Sequence, residues 1–484
     1  MRDPHAAARG SGYWTDSFAL AGAMFALAVA LRQRAFHGLD AQYFLAQLRD
    51  HGDANYSHPL FLPLMHGWHG LWSKLGWSPF QSMRLASAVG ASIGALAVHR
   101  AGRVLGLARS SALLAAALAC ATPAVVFFAT VVEIHGPFFA FAGLAFWAWA
   151  HAHATAASTA AASIPFAFLG ATTALAAGVH TSGHALLWLL PALSLGLAPP
   201  RRPRPCWRHW LVTAAVHAAV TLAVVGTLGS SGGGPWRERL EQALAYWGPR
   251  VPLAPLEILA LLQREWLLPF LPLSAATLLA LAWRNQRRLA LAVLAGIAPL
   301  LGLVWLLLHR ELYERGAYLL PFAWPAAVLL VGWWPRALQS AALVAALALA
   351  IASVVRHDHV GDDAALQHAL LPATEGGPAL VICIDMAEVE QVLRTLPAAT
   401  PRPLEGLTPA VAAGYEATCS EFDAWVQPFL DAGTSVWLTP RARAYLDVVP
   451  LPSVRRFVAE HLDGRYVLVP LDDPDFPALR LRRH

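Results

Sequence analysis

Charge is scarce in this chain. Asp, Glu, Lys and Arg make up 13% of its 484 residues, about half the share usual in soluble proteins. So few charges cannot cover the surface of a water-soluble fold of this length. That excludes an ordinary soluble enzyme and makes lipid the solvent. Cysteine is scarce too. Cys120, Cys206, Cys383 and Cys419 are the four present, and no CxxC or Cys/His spacing marks a structural metal site. Pairing of Cys383 with Cys419 stays open, since it requires an oxidising, extracytoplasmic setting and cannot be read from sequence. The chain also lacks a Gly-rich phosphate fingerprint and any internal repeat.

What is present is apolar. Hydrophobic residues make up 57% of the chain and the mean hydropathy is +0.48. Runs near 20 residues long recur, and the first is followed by many more, so it reads as an anchor and not as a cleaved signal. About eleven spans are expected, at 17–34, 82–104, 110–130, 136–152, 161–179, 184–198, 209–229, 265–283, 289–308, 317–333 and 337–355. The expected fold class is a polytopic α-helical membrane protein with a small C-terminal α/β domain. Residues 1–356 form the membrane domain, with a long first loop at 35–81, and residues 357–484 form the second domain.

The net charge of +5 and pI near 9.2 do not point to nucleic acid. The arginines cluster in short loops between apolar runs, which is how membrane orientation is encoded. Arg100, Arg103 and Arg109 flank one turn, Arg201, Arg202, Arg204 and Arg208 fill another, and Arg284, Arg287 and Arg288 a third. Alternate loops carry these clusters, so those loops and the N-terminus are expected in the cytoplasm of a plasma (inner) membrane. Everything after residue 356 is then extracytoplasmic. Arg32 and Arg34 fit less well, at the outer end of the first span; either they snorkel to the interface or that span starts earlier.

The tail has ordinary charge content and apolar runs too short to span. Leu380–Ile384 reads as a buried strand followed by a helix through Leu396, and 435–438 and 466–469 read as further strands. Strands alternating with helical patterns give a small α/β domain.

This topology gathers polar residues from four separate loops on one side. Asp40 stands in Phe36-His37-Gly38-Leu39-Asp40-Ala41-Gln42-Tyr43, before a stretch that reads as an amphipathic helix lying on the membrane. Such a carboxylate, partly buried at the lipid boundary, is a candidate proton acceptor, against the plainer reading of a helix cap. His58, in Tyr56-Ser57-His58-Pro59, either shapes the loop, donates to a phosphate or orients Asp40. Glu133-Ile134-His135 pairs a carboxylate and an imidazole at the mouth of a span, fit for a sugar hydroxyl, a metal, or simply water. His180 and His184 stand four apart, a metal-compatible spacing, although Gly183 interrupts a continuous helix there. His309, Arg310, Glu311, Glu314 and Arg315 occupy a short outer loop. Arg315 offers a planar, permanently charged fork suited to a lipid-linked phosphate. His357-Asp358-His359 opens the tail, with a solvated linker as the favoured reading over a metal site. Ionisable groups are costly at membrane depth, so their gathering at one interface suggests a polar site.

Together these features resemble the GT-C superfamily of integral-membrane glycosyltransferases, in its protein O-mannosyltransferase and aminoarabinose transferase branch. Asp40 matches the acidic residue after the first span and His58-Pro59 a His-Pro of the same loop. Glu133 matches a polar residue of the second outer loop and His184 a histidine that opens a later span. Arg315 to Pro321, with Tyr318, resembles an Arg-Tyr-x-x-Pro pattern before a late span. Ala41 stands where many relatives carry a second acid, and Gly316 and Ala317 separate Arg315 from Tyr318.

The resemblance implies inverting sugar transfer from a polyprenyl-phosphate donor to an acceptor hydroxyl outside the membrane. Asp40 would be the base, Arg315 and His58 would hold the donor phosphate, and Glu133, His135, His184 and Tyr318 would contact substrate. No metal is required when the leaving group is a monophosphate facing an arginine, though some relatives bind a divalent ion. The acceptor is a protein, a lipid or a glycan. Two other readings stand beside this one. The first is a secondary transporter with a Glu133/His135/His180/His184 proton relay, and the second a scaffold displaying the tail, in which Asp40 is dispensable.

Overall fold

The computed structural model describes residues 12–37, 40–49, 58–155, 163–197, 205–228, 255–307, 314–360, 362–374, 376–384, 386–449, 451–471 and 477–483. Gly38, Leu39, Tyr56, Ser57, Arg201, Arg202, Arg204, His309, Arg310, Glu311 and Tyr313 lie outside them. The chain divides into two compact units, residues 1–33 with 53–355, and residues 34–52 with 356–484. Residues 34–52, expected with the first loop of the membrane domain, pack within the second unit.

The helices through the first half of the chain are α1 (Gly12–Ala30), α2 (Asp40–Arg49), α3 (Phe61–Trp72), α4 (Pro79–Val104), α5 (Arg109–Cys120), α6 (Pro123–Thr130), α7 (His135–Thr155), α8 (Ser163–Val179), α9 (Leu186–Leu197) and α10 (Trp207–Leu228). All but α2 belong to the first unit. Helix α1 starts earlier than expected, so Arg32 and Arg34 follow its end. Prolines set several breaks. The run expected as one span at 110–130 is two helices bent by 64°. Thr122, ahead of Pro123, takes an extended ψ of 145°, because the proline ring disfavours helix at the preceding residue. The run at 265–283 is likewise interrupted. Helix Pro255–Leu262 continues into a π turn at Gln263–Leu267, and a new helix, Leu273–Ala280, starts after Pro269 and Pro272.

Helix α10 buries only Thr213 and His217, while Leu211 and Leu222 are 56% and 73% exposed. A helix that is apolar all round and turns most of itself outward needs an apolar solvent. Among the described residues, α10 and Arg336–Asp358 are each long and apolar enough to cross a membrane, and the bent pair α5–α6 makes a third if counted as one span. Shorter apolar helices include Trp14–Ala30, Ser163–Val179 and Ala317–Trp333.

Helices α4 and α7 cross closely because glycines face backbone there. A Cβ on Gly136 would lie 2.6 Å from the Ser87 carbonyl oxygen, and one on Gly90 would lie 2.6 Å from that of Gly136. Small residues let helix backbones approach in this way. The crossing fixes the N-terminus of α7, and with it Glu133 and His135.

The second unit contains a five-stranded sheet in the order β2-β1-β3-β5-β4, with β1 at Ala379–Cys383, β2 at Ala399–Pro403, β3 at Ser435–Leu438, β4 at Tyr466–Pro470 and β5 at Leu479–Arg483. Strands β2, β1 and β3 run parallel, and β5 is antiparallel to β3 and β4. Alternation along β1 feeds two cores. Leu380 and Ile382 join Cys419, Phe422 and Val436, whereas Val381 and Cys383 join Val392 and Trp437. Cys383 and Cys419 are thus in different cores, and both are free thiols.

Helix α2, expected to lie on the membrane, packs instead against the tail helix Met386–Thr395. Its apolar residues Ala41, Phe44, Leu45 and Leu48 are buried, and Arg49 pairs with Glu390. The expected solvated linker is also structured. Asp358 lies in the last turn of helix Arg336–Val360, and its Oδ1 accepts the backbone N–H groups of Arg34 and, at 3.0 Å, of Ala35.

Candidate functional site

Four separated stretches of the first unit meet at one cluster of rings. Two contacts fasten His58 to the end of α8. The Leu60 N–H donates to the Gly178 carbonyl at 2.9 Å, and the His58 imidazole hydrogen-bonds the backbone of Val179. His180 follows α8 directly and starts a 3₁₀ turn at Thr181–Ala185, its Nδ1 accepting the Ser182 N–H at 3.2 Å. Glu133 and His135 come from the junction of α6 and α7. Tyr318 comes from a 3₁₀ turn at Ala317–Phe322.

The His58 and His180 rings stack with centroids 5.0 Å apart and planes 17° apart. His135 lies 4.8 Å from His180, and Tyr318 lies 5.2 Å from His180 and 6.4 Å from His135. Phe138 and Phe128 close the group, at 5.0 Å from His180 and 4.6 Å from His135 respectively. Glu133 reaches His135 Nδ1 at 3.2 Å, and its Oε2 also accepts the Ile134 N–H at 2.9 Å. The Ser87 hydroxyl donates to the Glu133 carbonyl at 3.0 Å, which ties this junction to α4. Glu133, His135 and His180 are only 5%, 5% and 2% exposed.

Burial governs the charge of these rings. Loss of solvent, followed by the nearby His135, pushes His58 down to about 3. His180 is held well below the ordinary imidazole range by burial first, then by His135 and His58. Both are therefore neutral at pH 7. Neutral rings can stack and accept hydrogen bonds, and an adjacent carboxylate adds an acceptor for hydroxyl groups. The arrangement suits a polyhydroxylated substrate.

Arg315 adds the positive charge. Its guanidinium lies 4.5 Å from the Phe127 ring centroid and donates to Ser353 Oγ at 3.2 Å. Phe127 meets Phe128 edge-on at 5.2 Å, and Phe128 is the ring against His135. Two phenyl rings thus connect the guanidinium to the histidines. The backbone at Arg315 is left-handed, with φ 48°, followed by Gly316 at φ 79°. A non-glycine residue in that region carries strain of order 1 kcal/mol.

Glu265 compensates for the strain. It is 2% exposed and accepts the N–H groups of Gly316 at 3.1 Å and Glu314 at 3.3 Å, and Arg264 Nε at 3.0 Å. Gly316 is also required by space, since a Cβ there would lie 2.7 Å from the Phe270 ring and 2.9 Å from Pro269 Cβ. Sequence reasoning missed Glu265 by reading it as the start of a span. The signal was an adjacent Arg-Glu pair inside an otherwise apolar run.

The other expected site residues stand differently. His184 is not brought to the ring cluster. Its Nδ1 lies 2.9 Å from His217 Nε2, and His217 Nδ1 lies 3.0 Å from Thr173 Oγ1. The 3₁₀ turn after His180 breaks the helical register that the four-residue spacing assumed. Asp40 opens helix α2 in the second unit. Among the described residues, no group of three His, Cys, Asp or Glu side chains is placed to hold a metal ion.

No known family profile and no curated protein matches the sequence. Solved structures do match. One is ArnT from Cupriavidus metallidurans bound to undecaprenyl phosphate, with a TM-score of 0.58, 12% identity and coverage of 98% of both chains. The same protein in the apo state gives a TM-score of 0.55 at 13% identity, covering 97% of this chain and 98% of that one. At such identity the likeness is one of fold.

Proposed function

We propose that this chain, whose fold is that of the GT-C membrane glycosyltransferases, is an integral-membrane inverting glycosyltransferase that uses a polyprenyl-phosphate-linked sugar. The observation that carries the reading is the meeting of Glu133, His135, His58, His180 and Tyr318, with Arg315 behind two phenyl rings. ArnT has been solved with undecaprenyl phosphate, and a donor of that chemical kind fits a site that combines buried apolar rings with a guanidinium. The proposed topology has eleven spans, with the N-terminus cytoplasmic and the tail outside.

In this mechanism Asp40 takes the proton of an acceptor hydroxyl. The freed oxygen bonds to the anomeric carbon as the bond from that carbon to the phosphate oxygen breaks. The electron pair leaves with the polyprenyl phosphate, and configuration inverts. Arg315 balances the charge that develops on the leaving phosphate, an interaction worth most where water is excluded. His58 supports the phosphate side. Glu133 and His135 orient sugar hydroxyls, and Tyr318 packs against the sugar ring. No step requires a metal. The tail recruits the acceptor.

The test uses membranes holding equal amounts of wild type or Asp40→Asn, given radiolabelled polyprenyl-phosphate sugars and native cell extract. Label should move to non-donor products with wild type and not with the variant. Transfer that persists in the variant would shift the base to another carboxylate. A folded wild type that transfers from no donor in the presence of acceptor would return the chain to the transporter reading.

A further inference from the structure

Asp40 is the first residue of α2, and residues 34–52 pack with residues 356–484 as one compact unit. Three ties fasten this short stretch to the tail. Ahead of α2, the backbone N–H groups of Arg34 and Ala35 donate to the Asp358 carboxylate. Next, the Arg394 guanidinium lies 4.5 Å from the centroid of the buried Phe36 ring. At the far end of α2, Arg49 pairs with Glu390. Between these ties Ala41, Phe44, Leu45 and Leu48 turn inward, all at 1% exposure or less. The helix that receives α2 is itself fixed. Glu390 and Arg394 stand four apart on one face of helix Met386–Thr395. Its opposite face places Val389 and Val392 in the core shared with Val381 and Cys383 of β1. Glu388, in its first turn, accepts the Ile384 N–H and the Thr439 hydroxyl, both at 2.7 Å. These bonds tie the helix to the ends of β1 and β3.

We propose that the tail is a positioning domain for the base, in which Glu390, Arg394 and Asp358 hold α2 so that Asp40 is presented in one place. This role rests on Asp40 being the base. A helix of ten residues is too short to hold its shape in water by itself, so the order of α2 comes from the face it buries against the tail. Glu390, Arg394 and Asp358 act through α2 and are positioning residues. The role stands beside acceptor recruitment and differs from it in kinetics. A misplaced base lowers the rate at saturating substrate, whereas a lost recruiting contact is overcome by more acceptor.

The experiment measures sugar transfer by the full chain in liposomes, from a radiolabelled polyprenyl-phosphate sugar to native cell extract, with each varied to saturation. Arg49→Glu and Glu390→Arg should each lower the saturated rate at least about tenfold. The donor concentration giving half the maximal rate should stay within about twofold. The double reversal Arg49→Glu/Glu390→Arg should recover most of the rate, because it restores a pair of opposite charges. Asp358→Ala should act like the single reversals, and Asp358→Asn less, since it keeps an acceptor oxygen. Thermal unfolding checks each variant; should a reversal not fold, Arg394→Gln replaces it, with the same split between rate and donor affinity expected. Asp40→Asn runs beside them. Loss of transfer in Asp40→Asn with wild-type rates in the single reversals would overturn the positioning role and leave the base in place. Transfer by Asp40→Asn at the wild-type rate would overturn the base and the positioning role together. Losses that extra extract abolishes would make these residues acceptor contacts and overturn the proposal. A double reversal no better than either single variant would overturn it too.

Discussion

Glu265 holds the turn that carries Arg315. Its carboxylate accepts the N–H on either side of the arginine, from Glu314 at 3.3 Å and from Gly316 at 3.1 Å. The carboxylate is buried in the π turn that ends the preceding helix. A left-handed arginine is strained in isolation and is retained because these bonds over-determine it.

Removing that support should release Arg315. Glu265→Ala takes this acceptor from the buried N–H of Gly316, a cost of roughly 1–3 kcal/mol, and from the part-buried N–H of Glu314. Transfer should fall at least about tenfold, with Glu265→Gln intermediate. Gly316→Ala should act in the same direction through strain and its clash with Phe270. Rates of sugar transfer by the purified variants, compared with their thermal unfolding, would check this. Variants that unfold earlier yet transfer normally would refute the link between the turn and the reaction.

At Arg315 itself, charge and shape can be separated. Arg315→Gln removes both and should lower transfer by about a hundredfold or more, comparable to the loss of one charge-stabilising donor. Arg315→Lys keeps the charge but cannot lie flat on Phe127 while bonding Ser353, so it should restore only part of the rate. Identical rates for the two variants would mean that the fork does not matter. The measurement is initial rate against donor concentration.

The imidazole stack predicts a pH dependence of stability. Burial lowers His58 to about 3 in the fold, below its ordinary value near 6.5. Between those values the unfolded chain binds a proton that the folded chain refuses, so stability falls as pH drops from 6.5 towards 3 and is full above 6.5. The slope is roughly 1 kcal/mol per pH unit for each such histidine. Thermal unfolding at pH 7.5 and pH 5 should therefore differ less in His58→Gln than in wild type. An unchanged difference would show that His58 is not the group responsible.

His184 should be structural. Its imidazole meets His217 and not the ring cluster, so His184→Ala should reduce stability by roughly 1–3 kcal/mol, the cost of leaving a buried polar partner unsatisfied. The transfer rate of the folded fraction should stay within about twofold. A large loss of transfer at unchanged stability would return His184 to the substrate.

The sequence carried much of this architecture because apolar runs and prolines act locally. Strands β1, β3 and β4 were legible as short runs of branched and aromatic residues. Strand β2 was not, since Pro401 and Pro403 sit in it; prolines are tolerated there because β2 is an edge strand. Strand β5 alternates leucine with arginine and looks like a solvated tail until β3 and β4 flank it. In the site, Glu133, His135, His58 and Tyr318 were legible because polar groups stand out at the ends of apolar runs. Glu265 was hidden by the same logic, inside a run. The packing of α2 on a tail helix far along the chain was also hidden, because an amphipathic pattern says that a face is covered and not by what.

The most direct measurement is sugar transfer by the purified chain in liposomes, with wild type, Glu133→Gln and Arg315→Gln assayed side by side. Each receives a labelled polyprenyl-phosphate sugar and acceptor-containing extract, and both labelled product and released polyprenyl phosphate are counted. The account predicts one polyprenyl phosphate released per sugar transferred by wild type, and losses of about a hundredfold in both variants at equal folding. A folded wild type that releases no polyprenyl phosphate, or variants that transfer as it does, would contradict the account.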